Sequence, residues 1–104
     1  MLRLPQNLKS GLSPQEGPSP LEAEIMAEKA ASLGRAGKRV ERILADLNVA
    51  ADGAAREHLV SEAADAVYSL LVQRELCGLI NSEPVFQDYA VPREVIARLG
   101  AKRA

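Results

Sequence analysis

Tryptophan is absent, and Tyr68, Phe86 and Tyr89 are the only aromatic residues, 3% of the chain. A core must therefore be built from Ala, Leu, Val and Ile, which suits close helix packing better than a sheet. Cysteine occurs once, as Cys77, and histidine once, as His58. That excludes an internal disulfide and a His/Cys metal site within one chain, and a reducing compartment fits the lone thiol. An excess of either charge is missing too: 13 basic residues face 14 acidic ones, for a net charge of −1. No global field draws in nucleic acid or an anionic membrane, so such binding would need a local patch. No stretch approaches the roughly 20 apolar residues of a membrane span, and Arg3 is not followed by the apolar run of a signal peptide. The expectation is a cytoplasmic protein without cofactor, one domain long enough to bury a core.

What the sequence does have is helical periodicity. From Ala54 to Ile80, apolar residues recur at steps of three and four (Leu59, Ala63, Ala66/Val67, Leu70/Leu71, Cys77/Ile80), which predicts one uninterrupted helix. An earlier helix is announced at Ser19-Pro20-Leu21-Glu22, a capping box with proline at the first helical position. From there Ala23, Met26, Ala30, Leu33, Gly37, Val40, Leu44 and Leu47 make a coiled-coil-like seam, which carries the helix to about Asn48 through Gly34 and Gly37. The short turn NVAADG, with Asp52 as N-cap, makes the two helices antiparallel neighbours. Folding the hairpin about residues 50 and 51 sets Gly37 opposite Ala63 and Ala64. It also brings Arg35, Lys38, Arg39 and Arg42 alongside Glu57, Glu62 and Asp65.

After residue 80 two short helices are expected, SEPVFQDY with Ser82 as cap and PREVIARLG ended by Gly100, folded back onto the open end of the hairpin. Residues 1–19, with three prolines and two glycines, read as a flexible arm. Residues 20–100 read as the single helical domain and 101–104 as a frayed tail. The fold class is all-α: a two-helix hairpin plus two short C-terminal helices. The apolar band Leu59, Ala63, Val67, Leu70 and Leu71 is wider than one neighbouring helix covers, so it is expected to serve helix packing or a dimer surface. Pairing two hairpins gives a homodimeric four-helix arrangement.

The segments RLPQNLKSG, SPLEAEIMAEKA, VQRELCGL and DYAVPREVIARLG together resemble a family of short bacterial proteins known only as a domain of unknown function. They span most of the chain. The resemblance implies a bacterial cytosolic origin and assigns no site residues.

Candidate chemistry is sparse. Arg35, Lys38, Arg39 and Arg42 form a basic stripe that can contact phosphates, or that the acidic residues of the neighbouring helix can neutralise. Arg74 is the charged residue most nearly in phase with an apolar stripe, and it needs a carboxylate such as Glu28, in a buried ion pair or as part of a ligand site. Residues 82–104 can be laid on a helix-turn-helix, with Arg93 and Arg98 available to nucleic acid, although Phe86 stands where that motif wants a small residue. Cys77 and His58 are roughly 28 Å apart along one helix at 1.5 Å per residue, too far for a nucleophile and its base. No catalytic residue is named. The expected function is a non-catalytic protein–protein interaction or oligomerisation module, as a homodimer or with an unidentified protein partner. The alternative is a nucleic-acid-binding or regulatory protein using the C-terminal segment or the basic stripe.

Overall fold

Ser19 fixes the start of the first helix through two reciprocal hydrogen bonds. Its hydroxyl accepts from the Glu22 backbone N–H at 3.1 Å, and the Glu22 carboxylate accepts from the Ser19 N–H at 2.9 Å. This is the expected capping box, with Pro20 at the first helical position. The structure, a computed structural model, describes residues 17–103, and these contain helices and no strand. The four helices are α1 (Pro20–Asn48), α2 (Ala54–Leu76), α3 (Glu83–Asp88) and α4 (Arg93–Arg103). Most of the arm expected over residues 1–19 lies outside the described residues, as does Ala104. No helix among the described residues is long and apolar enough to cross a membrane.

The chain divides into two compact units, Met1–Ala30 and Ala31–Ala104, and the division falls within α1. In the first unit every residue from Leu21 to Ala30 is exposed. The second unit holds the core. Val40, Ile43, Leu44 and Leu47 of α1 join Val60, Ala63, Ala64, Ala66, Val67, Leu70 and Leu71 of α2, with Val85, Val91, Val95 and Leu99 from the C-terminal segment. Leu33, Ala36, Leu59, Phe86, Tyr89 and Ile96 pack around it. The alanines of α2 carry little bulk, which lets neighbouring backbones come close, and α4 is packed against α2.

Several boundaries differ from those expected, each for a local reason. α2 ends at Leu76, not Ile80, because Gly78 takes a left-handed conformation (φ 88°). The Leu79 N–H then bonds the Arg74 carbonyl at 2.8 Å and the Gly78 N–H bonds that of Glu75 at 2.9 Å, a Schellman ending. The N-cap of α2 is Gly53 rather than Asp52, and its carbonyl accepts from the Glu57 N–H. Ser82 occupies the cap position of α3 but makes no side-chain cap bond; the Asn81 side chain accepts from the Glu83 N–H instead, at 3.2 Å. α4 continues through Gly100 to Arg103, because Gly100 keeps an ordinary negative φ.

α3 and α4 are joined by a second Schellman turn. The Val91 N–H bonds the Phe86 carbonyl and the Ala90 N–H that of Gln87, with Ala90 at φ 51° in the position glycine usually holds. The short helices do not close the open end of a hairpin as expected. Arg56 bonds Glu94, and Arg98 bonds Glu57 at 2.7 Å, so α4 is tied to the first turn of α2. Arg56 also donates from Nη1 to the Leu47 carbonyl at 3.0 Å, placing a cation at the negative C-terminal end of α1.

Candidate interaction surface

The basic stripe lies on α1. Arg35, Lys38 and Arg42 are exposed and Arg39 is half-buried. Two of the three acidic residues expected beside it are engaged elsewhere: Glu57 with Arg98 at 2.7 Å, and Glu62 with His58, one turn before it, at 3.3 Å. Within the stripe, Lys38, Arg39 and Arg42 are thus left without an ion pair among the described residues, and Glu24 in the first unit forms none either.

The apolar band Leu59, Ala63, Val67, Leu70 and Leu71 is covered within the chain. Ala63 and Val67 are 0% exposed, Leu70 and Leu71 are buried, and Leu59 is half-buried against the core. These residues pack the second unit and offer no surface to a second copy. Exposed apolar side chains lie elsewhere, as Leu21, Ile25 and Met26 in the first unit and Leu76, Leu79 and Ile80 at the end of α2. Ile25 and Met26 line a hollow of about 260 Å³ with Pro18 and Glu22.

Arg74 is half-buried. Its Nη2 donates to the Asn81 carbonyl at 3.1 Å, across the Schellman ending, while its Nε is shielded and lacks a hydrogen-bond partner among the described residues. Glu28, the expected carboxylate, is exposed in the first unit. In the C-terminal segment Arg93 is exposed, whereas Arg98 is committed to Glu57. Val85, Val91, Val95 and Leu99 face the core, and Phe86 is half-buried beside them. Cys77 caps α2 as a free, half-buried thiol.

Three contacts carry no plain signal in the sequence. The Ser32 hydroxyl donates to the Gln73 side-chain oxygen at 3.0 Å between α1 and α2. The Arg56 bond to Leu47 is the second. The third is at Gly37, where the nearest atom to an added Cβ is the Tyr89 hydroxyl, at 2.5 Å. The space above Gly37 is thus taken by Tyr89 and not by Ala63 and Ala64. Tyr89 also lines an open hollow of about 480 Å³ with Glu41, Leu44, Ala45, Asn48 and Asp88. The glycine in the α1 seam marks a site of close approach, but the approaching group can be found only in three dimensions.

No curated protein and no solved structure matches the chain. A family model does, over residues 1–104. The chain belongs to DUF6665, a family of unknown function.

Proposed function

We propose that this chain is a non-catalytic, cytoplasmic helical module that self-associates as a homodimer, with α1 and α2 forming an antiparallel hairpin. The observation that carries this reading is the uncovered apolar side of the first turns of α1, where Leu21, Ile25 and Met26 are 65%, 46% and 58% exposed. Contiguous exposed apolar side chains of this kind mark association surfaces. Ser32 with Gln73 and Leu47 with Arg56 support the hairpin: their residue numbers add to nearly the same value, as those of facing residues on antiparallel helices do.

Light scattering on the full chain across a dilution series tests the reading. The expected mass is that of a dimer. Ile25→Glu with Met26→Glu is expected to give a folded monomer that unfolds cooperatively at a melting temperature independent of protein concentration, since both side chains are exposed before association. A wild-type monomer at all concentrations would refute self-association.

The alternative, a nucleic-acid-binding or regulatory protein, gains support from the uncompensated Lys38, Arg39 and Arg42. It requires retention of DNA or RNA at low salt that weakens steeply as salt rises. The absence of any such retention refutes it.

A further inference from the structure

The helical part of the first unit carries a short pattern that is its own complement when reversed. Glu22, Ile25, Met26 and Lys29 follow steps of three, one and three, so they share one side of α1, and all four are exposed. About the midpoint between Ile25 and Met26, acid stands opposite base and apolar opposite apolar: Glu22 with Lys29, Ile25 with Met26. Ala23, Ala27 and Ala30 flank this side, and their small side chains let a second backbone come close. All of these residues lie within the first unit.

We propose, resting on the self-association reading, that the first units of two copies pair antiparallel along this side, with the two-fold axis between Ile25 and Met26. At the axis Ile25 of each copy packs on Met26 of the other, and Lys29 of each reaches Glu22 of the other. The hollow bounded by Pro18, Glu22, Ile25 and Met26 lies on the same side, and this placement brings Lys29 of the second copy over it. The four-carbon stem of that lysine covers the apolar walls while its ammonium meets the Glu22 carboxylate. Glu22 is held ready for the contact: its carboxylate accepts from the Ser19 N–H at 2.9 Å and keeps lone pairs for a second donor. Lys29 forms no ion pair among the described residues, so the new pair gives up none. Ile25 and Met26 supply the affinity, and the charges set direction and register. A parallel pairing is disfavoured because it sets Glu22 on Glu22 and Lys29 on Lys29. The paired helix over residues 20–30 is roughly 16 Å long at 1.5 Å per residue, so the interface is small and the dimer dissociates on dilution.

The test is charge reversal, read as the dimer dissociation constant of the full chain by sedimentation equilibrium at low salt. Glu22→Lys and Lys29→Glu, made singly, each turn two attractive contacts into repulsive ones and should weaken the dimer by about tenfold. Lys29→Glu leaves the Ser19 capping box intact, so its effect is not that of a lost cap. The double variant Glu22→Lys/Lys29→Glu should restore the dimer, and an equimolar mixture of the two single variants should form a heterodimer tighter than either homodimer. Circular dichroism of each variant separates a folding defect from an association defect, because both side chains are exposed. A dimer lost in Ile25→Glu with Met26→Glu but indifferent to both reversals overturns the antiparallel register and leaves self-association standing. A dimer indifferent to all of these changes overturns the pairing and places association elsewhere on the chain. A wild-type monomer at every concentration overturns the pairing and self-association together.

Discussion

Replacing Gly37 by alanine sets two effects of known size against each other. In a helix interior alanine is favoured over glycine by about 1 kcal/mol, so Gly37→Ala in open space would stabilise the protein. At Gly37 the new Cβ would lie 2.5 Å from the Tyr89 hydroxyl oxygen. That is roughly 0.8 Å inside the ~3.3 Å at which carbon and oxygen make contact. The Tyr89 ring must shift to admit the new Cβ, and it is half-buried against the core. Overpacking of this kind costs about 1–3 kcal/mol, and the net expectation is a loss of up to about 2 kcal/mol. Tyr89→Phe removes the offending oxygen and leaves the ring carbon Cζ as the next atom, at 3.6 Å, an ordinary contact. In that background Gly37→Ala should stabilise by about 1 kcal/mol. The double-mutant cycle is measured by urea unfolding followed by far-UV circular dichroism, with a coupling of about 1–3 kcal/mol expected. Equal effects of Gly37→Ala in both backgrounds would show that Tyr89 does not occupy this space.

Ala90, held at φ 51°, should gain up to about 1 kcal/mol on replacement by glycine, while Gly78→Ala at φ 88° should lose about as much. Thermal melts of the two variants should move in opposite directions, and shifts of the same sign count against the two Schellman turns. Arg56→Met keeps the stem but removes both the bond to the Leu47 carbonyl and the pair with Glu94. A loss of about 1–2 kcal/mol is expected, with only part of it recovered in high salt, since the carbonyl bond is not an ion pair. A neutral Arg56→Met would mean that this side chain does not join the helices.

Legibility varied with how local the cause was. The capping box at Ser19 and Glu22 was plain because both bonds lie within four consecutive residues. The end of α2 was signalled equally locally, by Gly78, but the apolar residues on either side of it extended the periodicity and masked the stop. The placement of α4 was not legible. It depends on Arg56 finding Glu94 and Arg98 finding Glu57, 38 and 41 residues apart, among many carboxylates of equal local merit. The same competition bears on the basic stripe, whose residues were identifiable but two of whose three expected partners, Glu57 and Glu62, were taken by Arg98 and His58. The band around Val67 was correctly read as apolar, yet its coverage depends on α4, and periodicity along one helix says nothing of what lies across from it.

The contact at Gly37 also has an optical consequence. With no tryptophan in the chain, near-ultraviolet absorption and emission come from two tyrosines and one phenylalanine. Tyr68 is 42% exposed, whereas the Tyr89 phenol rests on the backbone of α1. Tyrosine difference absorbance during unfolding will therefore follow the seating of one ring, and so the attachment of α3, while circular dichroism follows α1 and α2. If the two signals separate along a denaturant gradient, the C-terminal segment detaches before the long helices melt; if they coincide, the second unit unfolds as one cooperative body.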